Sequence, residues 1–239
     1  MLEKQKNIKE KMKLAGIDLS DMQAEQFLEY YNLLIEWNSF MNLTSITDFE
    51  EVIIKHFVDS ALLKNIIELE LVDNLLDIGT GAGFPAIPLK IIYPNLKITM
   101  IDSLNKRIKF LEEVVNRLKL TNIVALHGRA EDYAREKEHR EVYEVVVSRA
   151  VANLSTLSEY CLPYTKIGGS FIAYKSEKIS EEINLAKKAI ELLGGKIEKQ
   201  VDYELLDTGM YRNLCDIRKV KATSNKYPRK AGLPSKEPL

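Results

Sequence analysis

The residues with the clearest chemical potential are an acid and three glycines at alternating positions, Asp77, Gly79, Gly81 and Gly83. Glycine permits tight turns and lets the backbone approach a ligand closely. An apolar run precedes the glycines and an apolar helical pattern follows them, so the stretch predicts a strand, a loop and a helix. We expect free backbone N–H groups beside a ligand at this helix start. An unpaired buried carboxylate is costly, so Asp77 is expected to face the loop amides or the ligand.

Two known patterns compete for this loop. The dinucleotide fingerprint G-x-G-x-x-G/A finds only a weak match at Gly81, Gly83 and Ala86. The pattern acid-x-G-x-G-x-G is matched at all four positions from Asp77 to Gly83. The loop therefore resembles motif I of the Rossmann-like methyltransferases that use S-adenosylmethionine (SAM). A glycine-rich turn with no ligand is the structural alternative.

Two further candidates follow the next predicted strands. Asp102 ends the second strand, where a carboxylate can accept hydrogen bonds from both ribose hydroxyls of a cofactor. Many unrelated strands also end in aspartate, so Asp102 counts mainly in combination with the glycine loop. The loop at residues 128–132 follows the third strand. In folds of this kind such a loop borders the adenine, which makes Ala130 and Glu131 the expected contacts, with a plain polar turn as the alternative.

A basic residue, Arg149, follows the fourth predicted strand. Ligands of open α/β sheets bind outside the carboxyl ends of the strands, which places Arg149 at the mouth of the site unless it is a solvated surface residue. The chain shows seven predicted strands with helices between them and finishes in a hairpin. This pattern favours the α/β fold of a Rossmann-like class I SAM-dependent methyltransferase: a mostly parallel seven-stranded sheet with a terminal antiparallel hairpin.

Composition and patterning divide the 239-residue chain into three parts. Residues 1–66 are predicted to be a helical extension packed on the core, residues 67–220 the SAM-binding domain, and residues 221–239 a basic tail. Net charge is −1, yet residues 218–239 carry seven basic and one acidic residue, a balance of +6 that leaves −7 for the rest. A basic tail on an acidic body indicates a phosphate-binding arm. A solvated disordered tail explains the composition equally well.

Other features exclude several classes of protein. The two cysteines lack metal-ligand spacing, the N-terminus lacks the apolar core of a signal peptide, and no run approaches about 18 apolar residues. We expect a cytoplasmic, monomeric protein with no metal and no membrane partner. His56, Asp59 and Ser60 lie close together, but a catalytic triad is assembled by the fold and no G-x-S-x-G elbow is present, so a hydrolase is not expected.

Longer segments carry a closer resemblance. Five segments resemble the RsmG family of bacterial small-subunit rRNA guanine methyltransferases, also called glucose-inhibited division protein B. They are residues 37–62, 75–91, 128–132, 147–153 and 227–234. The likeness covers nearly the whole chain. Its specific part is a combination of three motifs: HF-V-DS at 56–60, GTGAGFP at 79–85 and YPRKAG at 227–232.

The resemblance implies transfer of a methyl group from SAM to ring nitrogen 7 of one guanine in the 16S rRNA of the small ribosomal subunit. The SAM contacts that it implies are Gly79, Phe84, Ala130, Glu131 and Arg149. The loop pattern and the ribose argument add Gly81, Gly83 and Asp102 to this set. Phosphate contacts from the tail are expected at Lys226, Arg229 and Lys230.

The motifs that are missing agree with this chemistry. Ring nitrogen 7 carries a lone pair and no proton, so alignment and desolvation can carry the rate without a general base or a covalent nucleophile. The sequence at 148–151 is SRAV rather than the [DNS]-P-P-[YFW] run of exocyclic-amine methyltransferases, and there is no Pro-Cys nucleophile. We expect direct in-line transfer, with Arg149 positioning either the cofactor or the guanine.

Three alternatives remain open from the sequence. The chain could methylate a protein or a small molecule with SAM, although the basic tail argues mildly against this. It could also be a non-enzymatic regulator that binds SAM or another nucleotide. The third alternative is an NAD-dependent oxidoreductase, based on the weak match at Gly81, Gly83 and Ala86.

Overall fold

The computed structural model describes residues 2–149, 152–176, 179–206 and 208–239. Ala150 and Val151, which belong to the similar segment 147–153, lie outside these residues. Within the described ranges seven strands form one sheet: β1 (Asn74–Ile78), β2 (Lys97–Asp102), β3 (Ile123–His127), β4 (Tyr143–Arg149), β5 (Thr165–Ser176), β6 (Gly195–Glu204) and β7 (Tyr211–Lys219).

The strand order is β3-β2-β1-β4-β5-β7-β6. Neighbours from β3 to β5 are parallel, whereas β7 pairs antiparallel with both β5 and β6. The predicted mostly parallel sheet with a terminal hairpin is thus confirmed. The chain order reverses between β1 and β4, and the carboxyl ends of strands at such a reversal form the crevice in which open α/β sheets bind ligands.

The α-helices in the described ranges cover the two faces of this sheet: α1 (Leu2–Leu14), α2 (Asp21–Met41), α3 (Phe49–Val52), α4 (Asp59–Ala61), α5 (Ala86–Ile92), α6 (Asn105–Arg117), α7 (Ala130–Tyr133), α8 (Leu154–Cys161), α9 (Ile179–Leu192) and α10 (Leu233–Lys236). None of these described helices is both long enough and apolar enough to cross a membrane.

Burial on both faces explains the continuous apolar run of β1. Successive side chains of a strand point to opposite faces of the sheet. Leu75 accordingly packs in the core with the N-terminal helices, and Leu76 packs in the core beneath α8 and α9. A central parallel strand that is buried on both faces reads as such an unbroken apolar run.

The N-terminal helices contribute directly to the glycine loop. The spacing of Ser20 and Gln23 predicts a capping box at the start of α2, and the structure confirms it. The Ser20 hydroxyl accepts from the Gln23 N–H, and the Gln23 side chain accepts from the Ser20 N–H. Gln23 also donates to the carbonyl of Ile91 at the end of α5. The Tyr30 hydroxyl donates to the carbonyl of Ala82 inside the loop, over 2.5 Å. The division of the chain at residue 66 stays a prediction.

Asp48 and Glu51 precede apolar positions at helical spacing, a pattern that predicts one continuous helix, but the helix is interrupted. Asp48 caps α3 as expected, but residues Ile53–Val58 form a π-helical turn before α4, and a 3₁₀ turn, Leu62–Asn65, follows. The periodic apolar positions carried no signal for this change of winding. A π-turn is wider than an α-turn and is often found at functional sites. Here it holds His56, which faces the end of β4.

Strand β5 contains two consecutive glycines. Such a pair, here Gly168 and Gly169, is typical of a turn and predicts a strand that starts only at Ser170, but both glycines lie within β5. The β4–β5 register shifts between Tyr143 and Val145. A Cβ atom on Gly169 would lie 2.6 Å from the carbonyl oxygen of Glu144, so the irregular pairing requires glycine at this point.

Candidate functional site

A cavity of about 720 Å³ opens at the carboxyl ends of β1 to β4. Its volume lies in the range of about 300–1,000 Å³ that is typical of small-molecule sites. Seven of the eight predicted cofactor residues line it: Gly79, Gly81, Phe84, Asp102, Ala130, Glu131 and Arg149. The fold therefore brings together candidates from four different strand ends.

Gly83 is the exception among the predicted cofactor residues, because it does not line this cavity. A Cβ atom there would lie 2.6 Å from Ile87, 2.9 Å from Leu111 and 3.0 Å from the Tyr30 hydroxyl. Its φ angle of +96° is also unfavourable for any residue with a side chain. The third glycine of the motif thus serves close packing of the loop against the core.

The expectation of free N–H groups in the glycine loop is wrong for most of the loop. The N–H groups of Gly79 and Thr80 donate to the carbonyl of Ile101, and that of Gly81 donates to the Asp102 carboxylate. The N–H groups of Gly83 and Phe84 donate to the carbonyl of Thr80. A buried backbone donor needs a partner, and the neighbouring strand and the turn provide it.

The space beside Gly81 is what the loop offers to a ligand. A Cβ atom on Gly81 would meet only the carbonyl oxygen of Gly79, at 4.0 Å. Because Gly81 lines the cavity, a side chain there would project into open space that a bound molecule can occupy. The loop thus fits close approach by a cofactor through its missing side chains.

Asp102 is buried at the end of β2, with 3% of its surface exposed. Its carboxylate accepts from the N–H groups of Gly81 (3.0 Å) and Leu104 (2.9 Å) and from the Arg107 guanidinium (3.1 Å). The two backbone donors fix the orientation of the carboxylate towards the cavity. Arg107 is half-exposed on α6, so its side chain is the partner that a ligand hydroxyl can replace.

Asp77 is fully buried beneath the loop. Its Oδ2 accepts from the Thr80 hydroxyl (2.7 Å) and the Ala86 N–H (3.3 Å), as the sequence predicted for a carboxylate facing the loop. Its Oδ1 has no hydrogen-bond partner among the described residues. Burial raises the pKa of Asp77 to about 7, although the bonds from Thr80 and Ala86 oppose the shift.

Arg149, at the end of β4, is held in an ion pair that sequence reasoning did not foresee. Its Nη1 donates to Oδ2 of Asp59 (2.9 Å) and to the carbonyl of Lys55 (3.2 Å). The Tyr203 hydroxyl donates to the other oxygen of Asp59, over 2.8 Å. Both charged side chains are largely shielded, with 15% and 5% exposed. Arg149 therefore has a defined orientation at the cavity.

His56 completes this group. The imidazole ring stacks on the Phe84 ring with the centroids 4.3 Å apart and the planes at 18°. The Arg149 guanidinium also lies over the Phe84 ring, with its Cζ 5.1 Å from the ring centroid. Burial and the nearby Arg149 charge lower the pKa of His56 to about 3, so the imidazole is neutral at physiological pH. The hydrolase alternative is not supported, because the buried Ser60 hydroxyl donates to the His56 carbonyl rather than to an imidazole.

The opposite pKa shifts of Asp77 and His56 give a prediction for the pH dependence of stability. Folding raises the pKa of Asp77 from 3.8 to about 7, so its contribution to the free energy of unfolding falls as pH rises through that window. Folding lowers the pKa of His56 from 6.5 to about 3, so its contribution falls as pH drops below 6.5. The two slopes oppose each other between about pH 4 and pH 6.5.

We expect Asp77→Asn and His56→Gln to tilt the stability profile in opposite directions. The difference in the free energy of unfolding between Asp77→Asn and the wild type should rise with pH, because the substitution removes a contribution that falls. The same difference for His56→Gln should fall with pH, because that substitution removes a contribution that rises. Each slope approaches about 1 kcal/mol per pH unit. Urea unfolding at pH 4.5, 5.5 and 6.5 measures it, and parallel profiles for the three proteins would refute the assigned shifts.

The C-terminal segment, residues 223–239, is packed on the domain beside the cavity. The Gly232 N–H donates to Oε1 of Glu131 over 2.7 Å, and Gly232 lines the cavity. Arg229 makes a bidentate ion pair with Glu159, in which Nε donates to Oε1 (3.0 Å) and Nη2 donates to Oε2 (2.7 Å). The Glu159 side chain is 1% exposed. Of the three predicted RNA contacts, Lys226 and Lys230 are exposed, whereas the Arg229 guanidinium is already paired.

Solved structures share the fold at low sequence identity. TYW2 of M. jannaschii in complex with AdoMet aligns with a TM-score of 0.53 and 16% identity, over 68% of this chain and 75% of that chain. Fibrillarin of Aeropyrum pernix, with natively bound S-adenosyl-L-methionine, aligns with a TM-score of 0.52 and 18% identity over 66% and 72%. At these identities the likeness establishes the fold, that of the Rossmann-like SAM methyltransferases.

Sequence relatives match far more closely. Proteins named ribosomal RNA small subunit methyltransferase G are 58% identical in Lachnoclostridium phytofermentans and 52% identical in Clostridium botulinum strain Loch Maree. These alignments cover 94% of this chain and 93% and 94% of the relatives. A sequence profile described as rRNA small subunit methyltransferase G matches residues 23–204. As the motif resemblance predicted, the chain belongs to the rRNA small subunit methyltransferase G family.

Proposed function

We propose that this protein transfers a methyl group from SAM to ring nitrogen 7 of a guanine in the 16S rRNA of the small ribosomal subunit. The observation that carries the proposal is the convergence of Gly81, Asp102, Glu131 and Arg149 on one cavity in a chain of this family. A cofactor-sized cavity at the strand reversal is where an α/β sheet binds nucleotides.

The side chains around the cavity suit a reaction without proton transfer. When bound, SAM supplies a methyl group that its sulfonium has already activated. Asp102 is engaged by three donors, Glu131 accepts from Gly232, and His56 is bonded at both ring nitrogens. None of these three groups is free to act as a general base. Methylation of ring nitrogen 7 of guanine requires no general base, because that nitrogen carries no proton. Their task is to align the reactants and exclude water.

The positions of the strand ends suggest which part of the cavity binds the cofactor and which part binds the guanine. Asp102, after β2, is assigned to the ribose, and Ala130 and Glu131, after β3, to the adenine. Gly79 and Gly81, after β1, are assigned to the remainder of the cofactor. The sheet order β3-β2-β1-β4 then leaves the end of β4, with Arg149, for the contact between cofactor and guanine.

Asp102→Ala is expected to weaken SAM binding by about 1–3 kcal/mol through the loss of charge-assisted hydrogen bonds. Isothermal titration calorimetry measures the affinity. The matched control is Arg107→Ala, which removes a partner that competes for the same carboxylate and is expected to leave the affinity unchanged or higher. Equal losses in both variants would mean that the carboxylate does not bind the ribose.

For the tail we propose two separate tasks. Arg229 anchors the segment through Glu159, and this anchoring keeps Gly232 against Glu131 at the cavity. The exposed Lys226 and Lys230 are assigned to rRNA phosphates, since neutralising phosphates is the main source of nucleic-acid affinity.

Methyl transfer from labelled SAM to small ribosomal subunits tests the proposed function. The subunits are taken from a strain that lacks the corresponding gene, and the product RNA is digested to nucleosides and analysed by mass spectrometry. The expected product is 7-methylguanosine at one position of 16S rRNA. Label in ribosomal protein, in another nucleoside or in no acceptor would overturn the proposal.

A further inference from the structure

The hydrogen bonds around Arg149 determine which nitrogen of His56 carries the proton. A guanidinium has donors only, and Nη2 of Arg149 lies 3.1 Å from Nδ1 of His56. Nδ1 must therefore be the acceptor. His56 is neutral, because burial lowers its pKa to about 3, so its single proton is on Nε2. That nitrogen lies 3.0 Å from the hydroxyl oxygen of Thr44 and donates to it.

This assignment in turn determines what the Thr44 hydroxyl can do. Its oxygen accepts from Nε2–H of His56 and also from the backbone N–H of Ile46, over 3.0 Å. A hydroxyl oxygen has two lone pairs and one proton. Both lone pairs are occupied, so Thr44 can act towards a ligand only as a donor. In the described part of the chain its proton has no acceptor, and Thr44 lines the cavity.

The loop between α2 and α3 holds Thr44 in place from the other direction. The Thr44 N–H donates to the side-chain oxygen of Asn38, over 2.9 Å. Asn42, which precedes the loop, takes the left-handed conformation that ends α2. Thr44 is thus the last member of a bonded series that runs from Asp59 through Arg149 and His56 to a single outward-directed proton.

This donor lies in the part of the cavity that the proposed function leaves to the acceptor base. Thr44 and Arg149 are joined through His56, whereas the residues assigned to the cofactor follow β1, β2 and β3. We propose that the Thr44 hydroxyl donates a hydrogen bond to O6 of the target guanine and so selects guanine over adenine. The inference rests on the proposed function and adds a specificity-determining residue to it.

The chemistry of the purine edge supports this assignment. Guanine presents two acceptors side by side, N7 and O6, whereas adenine presents the N7 acceptor beside an N6 amino donor. A fixed hydroxyl donor bonds to O6 of guanine and so also fixes the position of the adjacent N7. With adenine the same hydroxyl would face the N6 amino group, which is itself a donor, and no hydrogen bond would form. Methylation at N7 makes the purine cationic, and a neutral hydroxyl opposes that charge less than a guanidinium at the same point.

The test combines protein variants with a substrate that lacks O6. Thr44→Val removes the hydroxyl at nearly constant shape, and Thr44→Ser retains it. The substrates are small subunits reconstituted with 16S rRNA that carries either guanine or 2-aminopurine, which has N7 but no O6, at the position that the wild-type enzyme methylates. Initial rates give kcat/KM for each pair, and calorimetry gives SAM affinity.

We expect Thr44→Val to lower kcat/KM on guanine by about 10- to 100-fold, the loss typical when a buried polar partner is left unpaired. Replacing guanine by 2-aminopurine should lower kcat/KM of the wild type by a similar factor. On 2-aminopurine, Thr44→Val should lower kcat/KM little further, because the substitution in the protein and the change of base remove the same hydrogen bond. SAM affinity should stay within about twofold, and Thr44→Ser should still discriminate.

Two results would overturn the inference. One is full additivity, in which Thr44→Val loses the same factor on guanine and on 2-aminopurine. The other is a loss of SAM affinity that accounts for the whole effect, which would assign the hydroxyl to the cofactor. Failure of the proposed function has a different signature, since wild-type enzyme would then form no 7-methylguanosine on unmodified subunits.

Discussion

Gly83→Ala is expected to lower the free energy of unfolding by about 2–5 kcal/mol, through overpacking and an unfavourable φ angle. The added methyl group would lie within 3.0 Å of Ile87, Leu111 and Tyr30, and the close packing of protein interiors leaves no room for it. For a chain of this length the melting temperature should fall by about 10 °C. Urea and thermal unfolding without ligand measure the effect.

Gly81→Ala is the matched control within the same loop. Its φ angle of +63° also disfavours a side chain, but its methyl group would meet open space. We expect a smaller loss of stability, about 1–2 kcal/mol, together with a loss of SAM affinity because the methyl group enters the cavity. A Gly83→Ala protein that is stable but fails to bind SAM would place Gly83 at the cofactor and contradict the packing role.

Arg229→Ala is expected to lower the free energy of unfolding by about 3–5 kcal/mol, since it leaves the buried Glu159 carboxylate without its charged partner. Glu159 side-chain exposure is 1% and that of Arg229 is 21%, so solvent screens the pair little. SAM affinity should fall as well, because the released segment no longer holds Gly232 against Glu131. Chemical unfolding and calorimetry measure the two effects.

The neighbouring basic residue provides the control. Lys230→Ala, at an exposed position, should change the free energy of unfolding by no more than about 0.5 kcal/mol while reducing the salt dependence of RNA binding. Adding Glu159→Gln to Arg229→Ala should recover part of the lost stability, since glutamine buries no charge. If Arg229→Ala instead left stability intact and changed only the salt dependence, Arg229 would be a phosphate contact.

The features that the sequence predicted well are those that depend on residues close together in the chain. The glycine loop, the acid at the end of β2 and the alternation of strands and helices each occupy a short continuous stretch. Their spatial relation then follows from a general rule, because parallel strands present their carboxyl ends at one edge of the sheet. The sequence therefore predicts that Asp102 and Arg149 lie at the same edge of the sheet, and both line one cavity.

The features that the sequence did not reveal depend on distant pairings. Arg149 and Asp59 are 90 residues apart in the chain, and Gly232 and Glu131 are 101 apart. The HF-V-DS motif includes Asp59 but assigned it no role, and the π-turn that places His56 has no signature in apolar spacing. Charge counting in the tail also failed to show that Arg229 is neutralised by a buried partner.

A crystal structure with SAM bound tests the central claim most directly. We predict the ribose hydroxyls at the Asp102 carboxylate, with the Arg107 side chain displaced from it, and the methyl group directed towards Arg149 and Thr44 at the end of β4. SAM bound instead in the cavity between α2 and the ends of α5 and α6, which has a volume of about 790 Å³, would contradict the account. So would a ribose that makes no contact with Asp102.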